Sequence, residues 1–196
     1  MRNPIAWILL GAAVISAAQD GSRLRRGTYA HFETSMGNFT AQLEAQLAPK
    51  TVENFVGLAR GTKPWRDPVT GQMVTRPLYD GVIFHRIVSD FIIQSGDPTG
   101  TGTGGPGFAI PDEFSSSAPH DSAGVLSMAN SGQADSGGSQ FFITLREARE
   151  LNRVNSVFGR VIRGMDVVRK IGSVRTRNER PVTPVVLKKV TIEVVE

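Results

Sequence analysis

Four groups of residues in this sequence could do chemistry, and the spacing of three of them argues against it. Gly100, Gly102 and Gly105 satisfy G-x-G-x-x-G, as do Gly102, Gly104 and Gly107. A dinucleotide site needs a helix that begins at the third glycine, so that its N-terminus meets the pyrophosphate. Pro106, Gly107 and Pro111 stand there instead, and no G-K-S/T follows to make a phosphate loop. These glycines are read as backbone freedom beside a groove. Ser139, in Gly137-Gly138-Ser139-Gln140, lacks the G-x-S-x-G elbow of a nucleophilic serine. His31, His85 and His120 are isolated, and their spacing meets the rules of neither metal ligands nor triads. The sequence has no Cys and no HExxH, which excludes thiol catalysis, Cys-ligated zinc and a disulfide scaffold.

The fourth group is a single cation, Arg86, among apolar and amide residues: Phe84, Phe91, Ile92, Gln94, Met128, Asn130, Gln140, Phe142 and Leu151. Each apolar member alone reads as core. A guanidinium among such neighbours either reaches solvent, pairs with a carboxylate such as Asp97, or faces a ligand.

The elements that must position these residues are short. Two alternating runs, Tyr29 to Glu33 and Phe39 to Leu43, flank the turn-like Ser35-Met36-Gly37-Asn38 and predict a β-hairpin. Pro49 opens a segment whose Val52, Phe55, Val56 and Ala59 share one helical face, with Gly61 as its stop. A second helix is expected over Met165 to Ile171, with Val167, Val168 and Ile171 on one side and Gly172 after it. Brief β-like segments lie between and beyond: Gly81 to Ile87, Phe91 to Gln94, Val125 to Met128, Phe141 to Thr144, Val157 to Ile162 and Val185 to Val195. Many short strands with frequent turn signals favour an antiparallel barrel or sandwich over a doubly wound sheet. Two stretches, Gly61 to Pro77 and Asp97 to Gly107, read as long loops, where function tends to sit.

Composition bounds the rest. The chain of 196 residues is 40% hydrophobic and 20% charged, ordinary for one globular domain. Its 22 basic and 18 acidic residues are interspersed, so the sequence pI of about 9.8 carries no expectation of nucleic-acid binding. Residues 1–18 combine Arg2, an apolar stretch from Ile5 to Ile15 and the small Ser16-Ala17-Ala18, the layout of a secretory signal cleaved near Ala18. The apolar stretch is short of the roughly 18 to 20 residues of a membrane anchor, so no stable membrane insertion is expected after cleavage. Residues 19–27 read as a mobile polar spacer and residues 28–196 as the folded domain. The expectation is an exported monomer, periplasmic if the source is bacterial.

Four blocks in order complete the reading: Phe84-His85-Arg86-Ile87-Val88 through Phe91-Ile92-Ile93-Gln94-Ser95-Gly96-Asp97, Leu126-Ser127-Met128-Ala129-Asn130, Gly138-Ser139-Gln140-Phe141-Phe142-Ile143, and Val157-Phe158-Gly159. From about Tyr29 to Val195 the chain resembles the cyclophilin peptidyl-prolyl isomerases, and its inserted loop and glycine run resemble bacterial exported members. The resemblance implies a mainly β fold, a closed eight-stranded antiparallel barrel capped by two short α-helices. It also implies cofactor-independent cis/trans isomerisation of X-Pro bonds in proline-containing polypeptides.

By that resemblance Arg86 is the catalytic residue, donating toward the proline nitrogen in the twisted state. Phe91, Ile92, Phe142 and Leu151 form the pocket for the proline ring. Gln94 and Gln140 orient Arg86 or the substrate carbonyl, and Ala129, Asn130 and Asn155 complete the substrate-binding set. The chain departs from the family at two positions, Glu150 where many members carry a rim tryptophan and Asn155 where many carry histidine, and the pocket has Ile92 where methionine is frequent, a swap of similar size. The missing tryptophan implies weak binding of cyclosporin A. A non-catalytic module gripping proline segments in the same groove is the competing expectation; a hydrolase or nucleotide enzyme is disfavoured by the failed motifs.

Overall fold

A computed structural model describes residues 24–196. The expected signal over residues 1–18 lies outside the described residues, as does the first part of the expected spacer. Gly27 already pairs in the first strand, and the Tyr29 hydroxyl donates to the Arg25 carbonyl at 2.7 Å.

The described strands are β1 (Gly27–Thr34), β2 (Gly37–Leu43), β3 (Trp65–Arg66), β4 (Met73–Val74), β5 (Arg86–Val88), β6 (Ile92–Ser95), β7 (Val125–Met128), β8 (Phe141–Thr144), β9 (Val157–Arg163), β10 (Thr176–Arg177), β11 (Arg180–Pro181) and β12 (Leu187–Val195). Eight of them form one antiparallel sheet in the order β12-β1-β2-β9-β7-β8-β6-β5. Strands β1 and β2 make the expected hairpin, its turn held by the Thr34 hydroxyl donating to the Gly37 carbonyl at 2.6 Å.

The sheet is curled but not closed, which corrects the expectation of a closed barrel. Its two ends, β12 and β5, share no ladder. The segment expected as a strand from Gly81 meets the chain before β12 through one isolated bridge among the described residues, Ile83 with Val186, and through single bonds such as Phe84 N–H to the Val185 carbonyl. Gly81 N–H and the Val82 carbonyl also bond Leu187 at the start of β12, but Pro184, beyond Val185, has no N–H to extend the contact, and from Arg86 the chain pairs with β6 instead. The result is an open half-barrel.

Two helices cover it. Helix α1 (Pro49–Arg60) starts at Pro49 and ends in left-handed Gly61, whose position lets Thr62 N–H reach back to the Gly57 carbonyl. Its first amides are satisfied from far along the chain: the Glu113 carboxylate accepts from the Lys50 and Thr51 amides at 3.1 and 2.8 Å, placing negative charge at the helix N-terminus. Val52, Phe55, Leu58 and Ala59 face the core. Helix α2 (Met165–Gly172) buries Val168 and Ile171, and it includes Gly172 rather than stopping before it.

Inside the curl the core is aromatic. Phe32 stacks on Phe39 at 4.5 Å, Phe55 meets Phe141 edge-on at 5.7 Å, and Phe158 and Tyr79 pack on Phe55. The stretch Gly61 to Pro77 is more ordered than a loop. Strands β3 and β4 pair within it, Trp65 is buried with its indole N–H on the Arg76 carbonyl, and Arg76 lies over the indole ring and pairs with Asp67.

Strands β10 and β11 form a second small hairpin through the two-residue turn Asn178-Glu179, with both residues at positive φ, +50° and +62°. Such turns favour Asn-Gly, because a side chain in left-handed backbone costs about 1–3 kcal/mol. The Glu179 side chain forms an ion pair with Arg86, both partners well exposed, and an exposed pair is worth about 0.2–1 kcal/mol. The pair therefore does not offset the strain of the turn.

Candidate functional site

Register puts the candidate residues in one row. Arg86 on β5 is the cross-strand partner of Gln94 on β6, Gln94 of Phe142 on β8, and Phe142 of Ser127 on β7. Cross-strand partners share a face, and neighbours along a strand face the other way. Ile87, Ile93, Phe141, Ile143 and Leu126, each one position along, lie in the aromatic core. Ile92 and Phe142 are each 3% exposed yet lie outside that core, on the outer face of the sheet with Arg86 and Gln94. Alternation thus separates the residues that hold the fold from those that line a site.

A hydrogen-bonded chain runs along this face. Arg86 Nη1 donates to Gln94 Oε1 at 3.4 Å, Gln94 Nε2 to Gln140 Oε1 at 2.9 Å, and Gln140 Nε2 to the Gly102 and Gly104 carbonyls at 3.0 and 2.8 Å. Gln94 thus touches Arg86 directly, whereas Gln140 acts one step back and anchors the glycine-rich loop. Arg86 pairs with Glu179 at 2.7 Å through Nε and not with Asp97.

Asp97 organises the loop instead. Its fully buried carboxylate accepts from the Thr99 amide and hydroxyl at 2.7 Å each, from the Gly102 amide at 2.6 Å and from the Gly104 amide at 3.0 Å. Burial pushes its pKa up, but the bonds from Thr99, Gly104 and Gly102 outweigh burial and hold it below the ordinary 3.8. The glycines therefore serve a carboxylate-centred loop, consistent with the failed nucleotide motif. Gly96, just before Asp97, is at φ +89°, and a Cβ there would stand 2.3 Å from the Ser139 carbonyl oxygen. That close approach seats the loop against the start of β8.

Beneath Phe142 lies His120, its ring parallel at 6.0 Å, with Nδ1 3.1 Å from Asn152 Oδ1 and Nε2 3.0 Å from Ser127 Oγ. Burial lowers the pKa of His120 and of His85 below 6.5, so both are neutral at pH 7. Phe91 is half-buried, and Arg146 stands over its ring at 4.9 Å while pairing with Glu150 at 2.8 Å. The rim at Glu150 is thus a charged pair. Asn155 is buried and donates to the Met128 carbonyl at 3.0 Å, and Leu151, half-buried on the 3-10 turn Arg149–Leu151, accepts from the Asn155 amide at 3.1 Å. The Asn130 side chain donates to the Val154 carbonyl at 2.7 Å and accepts from the Gly132 amide, while the Ala129 amide bonds the Gln140 carbonyl.

Two depressions flank the row. One, of about 500 Å3, runs from Gln94 and Gln140 past Gly102 to Phe108, with Ala129 and Asn130 opposite. The other, of about 360 Å3, lies on the far side of Gln94 between His85, Arg86 and residues 177–180. The structure thus brings Arg86, Ile92, Gln94, Gln140 and Phe142 onto one face, with Ala129 and Asn130 at its edge and Asn155 tied in through Met128. Sequence reasoning missed Glu179, whose only signal was an Asn-Glu pair where a turn prefers glycine, and the placement of His120 under Phe142. Chemically, the face sets the apolar side chains of Ile92 and Phe142 on the same side of the sheet as a guanidinium, and among the described residues no group of acids and histidines could hold a metal.

Residues 29–192 match the family model of cyclophilin type peptidyl-prolyl cis-trans isomerases. A peptidyl-prolyl cis-trans isomerase A of Mycobacterium tuberculosis is 45% identical over 166 residues, covering 83% of this chain and 91% of the relative. A peptidyl-prolyl cis-trans isomerase B of Streptomyces anulatus is 43% identical over 169 residues, covering 84% and 96%. Among solved structures, a Cryptosporidium parvum cyclophilin type isomerase crystallised in the presence of the dipeptide Ala-Pro superposes with a TM-score of 0.73. It is 30% identical, with 84% of this chain and 98% of that one covered.

Proposed function

The chain belongs to the cyclophilin-type peptidyl-prolyl cis-trans isomerases, enzymes that need no cofactor, and from that premise we propose that Arg86 and the cleft beside it catalyse rotation of X-Pro bonds in exported polypeptides. Amide resonance sets the barrier to that rotation at about 18–20 kcal/mol, and the uncatalysed event takes tens to hundreds of seconds. Resonance weakens when the proline nitrogen becomes pyramidal and its lone pair accepts a hydrogen bond. In the planar substrate that lone pair is delocalised, so a donor fixed beside it binds the twisted state better than either ground state.

In this reading Phe91, Ile92, Phe142 and Leu151 receive the proline ring, and the backbone at Ala129 and Asn130 receives the residue before it. Asn155 steadies that edge through the Met128 carbonyl. Arg86 donates from Nη toward the proline nitrogen, with Gln94 Oε1 3.4 Å from Nη1. Apolar walls exclude water and strengthen that bond. The observation that carries the proposal is the register row Arg86–Gln94–Phe142, which sets a guanidinium and an aromatic wall on the same outer face.

Export is supported by the composition of residues 1–18, and the charged rim at Arg146 and Glu150 supports weak cyclosporin A binding. Exchange NMR on an X-Pro peptide tests the function. Cis and trans signals should exchange on adding the protein while the peptide mass stays constant; exchange at the spontaneous rate would leave a binding module, and a fall in mass a hydrolase.

A further inference from the structure

Glu179 carries its carboxylate on left-handed backbone that a glycine would occupy without strain, and the ion pair it makes is too exposed to return that strain. The backbone of this turn is fixed on both sides. The Ile87 amide donates to the Glu179 carbonyl at 2.7 Å, directly after Arg86, and Arg180 on the other side bonds the Gly100 carbonyl of the glycine-rich loop. The backbone that carries the carboxylate is therefore held beside Arg86, and Oε2 accepts from Arg86 Nε at 2.7 Å. The other contact of the guanidinium, Nη1 to Gln94, is long at 3.4 Å, and bonds of that length hold a side chain weakly.

We propose that Glu179 is a positioning residue for the isomerase reaction: by holding Arg86 through Nε it fixes the plane of the guanidinium and leaves the Nη donors for the proline nitrogen. A long side chain that is 40% exposed otherwise spreads over many rotamers. Catalysis needs only those that reach the twisted amide. Loss of the carboxylate therefore lowers the fraction of productive geometries without touching the walls of the cleft.

The inference rests on the role given to Arg86, so the experiment carries both. Turnover of an X-Pro peptide is measured for wild type, Glu179→Gly, Glu179→Gln, Arg86→Ala and the double variant Arg86→Ala/Glu179→Gly, together with Tm and the NMR signal of Arg86 Nε–H. Glu179→Gly relieves the positive φ, so its Tm should rise, while its kcat should fall about 10-fold, short of the roughly 10²-fold that an ångström of misplacement costs. KM should stay within about twofold, because uniform binding is untouched. Glu179→Gln, which keeps the size and loses the charge, should fall in the same direction, and in both variants the Nε–H should exchange with solvent faster than in wild type. In the Arg86→Ala background Glu179→Gly should cost nothing further. Wild-type kcat in Glu179→Gly, or an equal loss with and without Arg86, would overturn the positioning role alone. Full turnover in a folded Arg86→Ala would overturn the role of Arg86 and this inference with it.

Discussion

Asp97→Asn isolates the carboxylate on which the glycine-rich loop is built. Oδ1 serves the Thr99 amide and hydroxyl; Oδ2 serves the Gly102 and Gly104 amides and, at 3.3 Å, the Thr101 hydroxyl. An asparagine offers one carbonyl, so it keeps one set of partners and turns an NH2 donor toward the other donors. Hydrogen bonds to a charged group contribute about 1.5–3 kcal/mol each, so losing the two glycine bonds is bounded at roughly 3–6 kcal/mol. Gly102 is exposed, and water will replace part of that. The expected loss of unfolding free energy is about 2–4 kcal/mol, read from urea midpoints at unchanged m. Hydrogen exchange should speed up at the Gly102 and Gly104 amides before it does so in the core strands. Turnover should fall as well, because Gln140 is anchored on the carbonyls of those two glycines and in turn holds Gln94 beside Arg86. The depressed pKa of Asp97 means its contribution is complete above about pH 3.8 and lost as pH falls through the folded value. Unchanged stability together with unchanged exchange at Gly102 and Gly104 would refute the reasoning.

Further outcomes follow from the packing around the cleft. His85 and His120 have pKa values lowered by burial, so the unfolded chain takes up protons that the fold refuses as pH drops below about 6.5. Stability should therefore fall from pH 7 to pH 5, and His120→Gln should flatten that slope; a Tm independent of pH over this range would contradict it. Phe142→Ala empties a position 3% exposed and should cost about 3–5 kcal/mol in chemical denaturation, along with turnover; a loss below 1 kcal/mol would show that the ring is not packed as described. Calorimetry should find weak cyclosporin A binding, since the Arg146–Glu150 pair occupies the rim, and Glu150→Trp should tighten it. A submicromolar dissociation constant for the wild type would refute the rim assignment.

Much of this architecture was legible because alternation and helical periodicity mark it directly. Val125 to Met128 and Phe141 to Thr144 are strands at the expected bounds, and the helix from Pro49 ends in Gly61 as its capping signal implies. Closure of the sheet was not legible. Gly81 to Ile87 has the composition of a strand, yet whether it forms a ladder depends on its partner far along the chain, where Pro184 has no N–H to donate. For the site, the blocks around Arg86, Gln94 and Phe142 could be read, since their common face follows from period two once the register is known. The partner of Arg86 could not be read. Asp97 is the nearer carboxylate in sequence, but the glycine-rich loop consumes it, and Glu179 arrives from a hairpin 93 residues away whose signal is only an unfavourable turn residue.

The most direct test of the central claim compares wild type with Arg86→Ala on a short X-Pro peptide, with folding of both confirmed by their amide spectra. The account requires catalysis by the wild type and a fall in kcat/KM of roughly 10²- to 10³-fold in the variant, the cost of removing one preorganised donor. Equal rates in two folded proteins would contradict it.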